Sequence, residues 1–222
     1  MSSRSQLPPP PPPVEIRAWP DDGAMLADRA AVLGELVRKH VSPGRLALLW
    51  LWGALCAIGW SLVCAALVTF QETHDEIFGV GIALILAVMG LGFAVPGALL
   101  VAAGLGRDRE IRGLLDAWGE LARDPERDAR LRMPGAGLLW LLPSYALCGL
   151  GLYLCVAVPA TDEGLGETYG QAALIMGLGM ISWITGLIGI VKAFAHRRWV
   201  MRVLVGAPRP EPLFSVGGGA HR

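Results

Sequence analysis

Acidic side chains and one histidine gather in two short segments of this chain. The first segment holds Glu72, His74 and Glu76, and the second holds Asp162 and Glu163. Carboxylate oxygens and an imidazole nitrogen are ligands that divalent cations accept in proteins. If the fold brings the two segments together, they could form a cation site. The alternative interpretation is that both segments are solvated loops that only lack basic residues.

Cysteines are the other residues that could carry chemistry. Cys56 and Cys64 form one pair, and Cys148 and Cys155 form another. On a helix, seven or eight residues separate two Cα atoms by more than about 10 Å, whereas a disulfide needs them within about 7 Å. Neither spacing matches a zinc or iron–sulfur motif. We therefore predict small packing residues, with a buried metal or redox role as the alternative.

No catalytic motif and no cofactor motif stands out elsewhere in the sequence. The apolar stretches described next hold no acid or base near their middle, where a charge usually marks an ion or proton route. We therefore predict that the protein is not an enzyme, uses no cofactor, binds no nucleic acid and has no identifiable small-molecule substrate. An enzyme of lipid or quinone chemistry is the weakest alternative.

Four long apolar blocks must position these groups. The chain is 54% hydrophobic and 17% charged, against roughly 25% charged residues in an average domain. About 20 helical residues suffice to cross the hydrocarbon core of a bilayer, and each block has at least 25. The sequence thus predicts transmembrane helices at Leu46–Phe70, Ile77–Leu105, Gly135–Pro159 and Tyr169–Phe194.

The orientation follows from the basic residues. None of the 19 Lys and Arg residues lies in the two acidic loops, and short loops rich in Lys and Arg stay in the cytoplasm. We therefore expect a multi-pass protein of the plasma membrane with both termini and the central loop inside. Arg greatly outnumbers Lys, which is typical of a bacterium with a GC-rich genome.

The predicted fold class is all-α: a polytopic membrane protein with four transmembrane helices in two tandem hairpins. An internal repeat supports the hairpins, since the motif around Met89 and Gly90 recurs around Met176 and Gly177. The organisation is a cytoplasmic N-terminal segment, a first hairpin, a cytoplasmic loop, a second hairpin and a cytoplasmic tail, at residues 1–45, 46–105, 106–134, 135–194 and 195–222.

Segments outside the blocks carry helical patterns of their own. Residues 22–40 have Asp22 as a candidate N-cap and one apolar face. At 108–122, Asp108 is the candidate cap of a second amphipathic helix, which we expect to lie on lipid headgroups or to dock onto a partner. The prolines at 8–13 predict an extended spacer or a docking ligand.

Side chains near the block ends complete the predictions. Lys192 should reach the headgroup layer, and so should four tryptophans, Trp50, Trp52, Trp140 and Trp199. Rows of small residues such as Gly90 and Ala94 should let helices pack closely, within the protein or against another subunit.

The function that fits best is a scaffold, regulatory or accessory membrane subunit. Its expected partners are the lipid bilayer and either a second copy or another membrane protein. The alternative is a small channel or transporter for an ion or small solute. A continuous polar passage between helices would favour the channel, whereas close-packed glycine and alanine seams would favour the scaffold.

Overall fold

The computed structural model describes residues 7–13, 19–73, 75–121, 128–129, 134–160 and 169–205. These ranges contain α-helices and no strand. The long helices are α1 (Asp22–His40), α2 (Pro43–Thr73), α3 (Ile77–Gly119), α4 (Pro134–Ala160) and α5 (Tyr169–Val205).

Four helices, α2 to α5, are long and apolar enough to cross a membrane. The all-α prediction with four candidate spans is therefore confirmed. Two of the helices are much longer than a span requires, with 43 residues in α3 and 37 in α5. At about 1.5 Å per residue they exceed a hydrocarbon core of about 30 Å by several turns. Their extra turns pack beside α1, and we call this end of the molecule the α1 side.

The first helix has the predicted bounds but a different cap. The side chain of Asp21, not Asp22, accepts a hydrogen bond from the Ala24 backbone N–H at 2.6 Å. The last turn carries Arg38, Lys39 and His40, where positive charge interacts favourably with the helix dipole. Pro43 is the first residue of α2, a position that needs no backbone N–H.

A hydrophobic core fills the α1 side. The apolar face of α1 packs against the last turns of α3 and α5, and the buried side chains are Leu33, Leu36, Val37, Ile111, Leu115, Trp118, Leu121, Trp199, Val200 and Val203. The expected lipid-facing helix at 108–122 is therefore wrong in two respects. Helix α3 runs through Asp108 without a new cap, and its apolar stripe is covered by protein.

Two of the four tryptophans expected at the headgroup layer are instead buried in protein. Trp140 is 1% exposed and Trp199 is 6% exposed. The indole N–H of Trp140 donates to the carbonyl oxygen of Val41 at 3.2 Å, so burial satisfies its polar atom. Trp50 is 40% exposed and stays consistent with an interfacial position.

The proline run contacts the α1-side core instead of standing apart from it. The indole N–H of Trp118 donates to the carbonyl oxygen of Pro9 at 3.0 Å, and Leu7 packs against the same core. An extended spacer was one of the two predictions for this run. The proline run therefore contacts an aromatic side chain of the same chain, Trp118.

Glycines set the distance between the apolar helices α2 to α5. A Cβ built on Gly59 of α2 would lie 2.5 Å from the Ala94 backbone N and 2.6 Å from the Gly90 carbonyl oxygen of α3. A Cβ on Gly151 of α4 would lie 2.6 Å from the Gly179 carbonyl oxygen of α5. Backbones that approach this closely confirm the predicted small-residue seams.

The two seams use the same spacing of residues. On α2, Gly59 and Cys56 contact Gly90 and Gly97 of α3; on α4, Gly151 and Cys148 contact Gly179 and Gly186 of α5. The repeat found in the sequence paired Gly90 with Gly177, but the contacts pair it with Gly179. Gly177 faces Trp60 of α2 instead.

Alanine substitution in a seam should separate the helices. Gly59→Ala and Gly151→Ala should each lower the free energy of unfolding by about 1–3 kcal/mol, because the added methyl groups overlap a neighbouring backbone. Titration with sodium dodecyl sulfate in mixed micelles measures this. Gly92→Ala and Gly149→Ala are matched controls, since a Cβ there meets nothing within 4 Å. Equal losses in both sets would refute tight seams.

Candidate functional site

An ion-paired aspartate lies where the four apolar helices meet the α1-side core. Asp108 of α3 is 8% exposed. One of its carboxylate oxygens accepts from Arg45 Nη1 at 2.5 Å, and the other accepts from Lys192 Nζ at 2.6 Å. Arg45 comes from the first turn of α2 and Lys192 from α5, so three helices that are distant in sequence are joined here.

The remaining two helices contribute to the same place. The Lys192 ammonium lies 4.4 Å from the centre of the Trp140 ring of α4, within the range of a cation–π contact. His40, the last residue of α1, has its Nδ1 3.9 Å from Asp108 Oδ1, beyond hydrogen-bond distance. We call His40, Arg45, Asp108, Trp140 and Lys192 the Asp108 cluster. It has one side chain from each helix.

The sequence interpretation missed this cluster. It treated Asp108 as a helix cap and Lys192 as a side chain reaching lipid headgroups. In the structure Lys192 is only 10% exposed and pairs with Asp108. The sequence carried one signal. Asp108 lies within one turn after the second apolar block, and Lys192 lies near the end of the fourth. Nothing in the sequence indicated that they meet across 84 positions.

Two buried histidines adjoin the cluster. The rings of His40 and His196 are 6.2 Å apart, and His196 stacks on Trp199 at 6.3 Å. Neither nitrogen of His196, nor Nδ1 of His40, has a hydrogen-bond partner among the described residues. Burial, reinforced by the positive charge of Lys192, lowers the pKa of His40 to about 3. Burial also lowers the pKa of His196.

Acid should therefore destabilise the protein through His40. The folded state holds this imidazole neutral, whereas the unfolded chain protonates it near its ordinary pKa of 6.5. The stabilisation is complete above pH 6.5 and is lost as the pH falls from there towards 3. Between pH 7 and 5 we expect a loss of about 2 kcal/mol.

Unfolding free energies at pH 7 and pH 5 measure this effect. His40→Gln removes one titrating group and should reduce the pH dependence; the buried His196, whose pKa is also lowered, keeps part of it. Asp108, Arg112 and Lys192 remain around the site in the variant. An unchanged slope in His40→Gln would contradict the assignment.

Chemically, the cluster is suited to joining helices and not to proton transfer. Both oxygens of Asp108 already accept charge-assisted bonds from cations, so the carboxylate is not poised as a general base. Satisfied buried pairs of this kind fix how the elements meet. A cavity of about 200 Å³ adjoins the cluster and is lined mainly by α2 and α3, with Trp140 of α4 and Lys192 of α5.

The sequence-predicted cation site remains a prediction. Glu72 and Glu76 are exposed, and Glu76 immediately precedes α3. His74, Asp162 and Glu163 lie outside the described residues. Within the described ranges there is no group of three His, Cys, Asp or Glu side chains that could hold a metal ion.

The cysteines occupy packing positions, as predicted. All four are free thiols. Cys56 and Cys148 abut Gly97 and Gly186, and Cys155 abuts Gly179. The thiols of Cys56 and Cys155 and the backbone of Cys148 thus lie in the seams between helices.

Comparison with known protein families, with curated proteins and with solved structures finds no match for this chain. The features described above define its class: a helical protein with four helices apolar enough to cross a membrane and a buried ion-paired cluster at the α1 side.

Proposed function

We propose that this protein is a non-enzymatic scaffold, regulatory or accessory subunit of a membrane assembly. The observation that carries the proposal is the backbone-to-backbone packing at Gly59 and Gly151. Such seams hold α2 against α3 at Gly59 and α4 against α5 at Gly151, and they favour a rigid unit. A rigid unit with a separate core at one end is suited to holding a partner.

The proposed topology has two tandem hairpins with both termini in the cytoplasm. The shared glycine spacing of the α2–α3 and α4–α5 seams supports an origin by duplication of one hairpin. The described Lys and Arg residues lie in α1, in the first turn of α2 and in the last turns of α3 and α5. This distribution supports a cytoplasmic position for the α1 side. In a bacterium, the membrane would be the plasma membrane.

Photo-crosslinking in intact membranes tests the scaffold proposal. A photoreactive amino acid would replace Leu84 in α3 or Leu150 in α4, which are 65% and 52% exposed. We expect a covalent adduct heavier than the monomer from at least one outward face, identified by mass spectrometry as a second copy or another membrane protein.

Buried positions provide the matched control for this experiment. Leu36 and Leu115 are at most 2% exposed, so a crosslinker there should give no intermolecular adduct. Monomer alone at every outward position tested would count against the proposal. Ion or solute flux in liposomes that contain only this protein would favour the channel alternative instead.

A further inference from the structure

The cavity beside the Asp108 cluster has a charged end and an apolar wall. Arg45, Arg107 and Lys192 line it together with one carboxylate, Asp108. Cations therefore outnumber anions by three to one among the charged lining residues. Apolar side chains line the rest, among them Leu48 and Trp52 of α2 and Leu100 of α3.

The two helices that form the groove have the same arrangement, with an arginine at one end and apolar or small residues in the adjoining turns. On α2, Leu48 and Trp52 follow Arg45 at helical spacing, so they lie on its face one and two turns further into the span. On α3, Gly104 and Leu100 precede Arg107 with the same periodicity. The groove thus places positive charge at the membrane boundary and apolar surface directly beneath it.

The guanidinium groups have bonding capacity to spare. Arginine carries five N–H donors, and Asp108 accepts a single bond from Arg45. Arg107 is exposed at the mouth of the groove. Two arginines at one site can bind the oxygens of one phosphate group through charge-assisted hydrogen bonds.

From this geometry we infer that the groove binds one anionic phospholipid, with its phosphate at Arg45 and Arg107. The cavity of about 200 Å³ is smaller than a typical pocket for a whole ligand. It suits the phosphate and the first methylenes, while the acyl chain continues along Leu48 and Leu100, which are 48% and 40% exposed. Basic pockets between membrane helices bind anionic headgroups in this way.

A soluble phosphate compound is the competing source of the same chemistry. It would use the two arginines but would leave the apolar wall without a role. The lipid accounts for both parts of the groove, and it is present at the depth where Arg107 meets the membrane boundary. This inference does not depend on the proposed scaffold role.

Native mass spectrometry of the full chain in mild nonionic detergent tests the inference. We expect one phosphatidylglycerol molecule to stay bound, whereas phosphatidylcholine with the same acyl chains should dissociate. Arg107→Gln should weaken phosphatidylglycerol binding about tenfold. Arg109→Gln is the matched control, because Arg109 is exposed on the same helix and does not line the groove.

A second pair of variants fills the groove without touching its charges. Gly104 lines the cavity and Gly106 does not, and a Cβ at either position meets nothing within 4 Å. Gly104→Trp should abolish the bound lipid, and Gly106→Trp should leave it. Thermal unfolding of each variant checks that it is folded.

Three results would overturn the inference. One is equal lipid retention by Arg107→Gln and Arg109→Gln, which would indicate lipid bound only around the perimeter. Another is displacement of the lipid by glycerol 3-phosphate at concentrations equal to that of the lipid, which would indicate a soluble ligand. The third is a bound protein in place of the lipid, which would indicate that the groove is a protein-docking site.

Discussion

Replacing Asp108 with alanine is expected to lower the free energy of unfolding by about 3–5 kcal/mol. The substitution leaves Arg45 and Lys192 beside each other with no counter-charge, and the Lys192 side chain is only 10% exposed. Because each oxygen of the carboxylate serves a cation from a different helix, the loss should reach α2, α3 and α5 together. Titration with sodium dodecyl sulfate in mixed micelles measures it.

Asp116 provides the control for this experiment. It lies on the same helix and is 4.0 Å from Arg202, in a pair whose two side chains are both largely exposed. Asp116→Ala should therefore cost less than about 1 kcal/mol. Equal losses in the free energy of unfolding would show that burial does not determine how much the Asp108 cluster contributes to stability.

A triple variant separates the desolvation of the charges from the packing of the helices. Arg45→Leu, Asp108→Leu and Lys192→Met together remove every charge of the cluster. Buried ion pairs are often no more stabilising than apolar residues of similar volume. The triple variant should therefore recover much of the stability that Asp108→Ala loses. Failure to recover any of it would indicate that the ion pairs themselves contribute net stability.

The second large effect is expected at Arg29 of α1. Its guanidinium is fully buried and binds both oxygens of Asp128, at 2.7 and 3.2 Å. Its Nε also donates to the carbonyl oxygen of Trp118 at 3.2 Å. Arg29→Met leaves a buried carboxylate and a carbonyl without these donors, so we expect a loss of about 3–5 kcal/mol.

This loss should be local to the α1-side core. Hydrogen exchange and limited proteolysis should show α1 opening before α2 to α5, because Arg29 joins α1 to Trp118 of α3 and to Asp128. Arg38→Met is the matched control, since Arg38 is exposed on the same helix. Equal protection of α1 in the two variants would contradict a central role for the Arg29–Asp128 pair.

The sequence predicted the elements of this fold better than it predicted their partners. The bounds of α1 and the four long apolar helices could be predicted because each depends only on neighbouring residues. Pro43 separates α1 from α2, and each long apolar block forms a helix by itself. The stripe from Ile111 to Leu121 was also recognised as apolar and helical. The prediction of what this stripe packs against was wrong. An amphipathic pattern is the same whether its apolar face covers lipid or covers protein side chains such as Leu33 and Trp199.

The charged cluster shows the same limit more clearly. In the sequence, Asp108 and Lys192 are charges close to the ends of apolar blocks, where water or lipid headgroups usually solvate such side chains. Only the three-dimensional packing of α3 against α2, and of α2 against α5, brings the two charges to 2.6 Å. The outer cation site remains a sequence prediction, since three of its five residues lie outside the described ranges.

The central proposal is that α2 to α5 cross the membrane and that the α1 side lies in the cytoplasm. Labelling with a membrane-impermeant maleimide in intact cells tests it most directly. Single-cysteine additions at Glu76 and Glu120 suit this purpose, because both residues are exposed and lie at opposite ends of α3. The wild-type protein, whose cysteines lie within helices, provides the background. The proposal predicts labelling of Glu76→Cys in intact cells and of Glu120→Cys only after the cells are opened. Labelling of Glu120→Cys in intact cells, with Glu76→Cys protected, would contradict it.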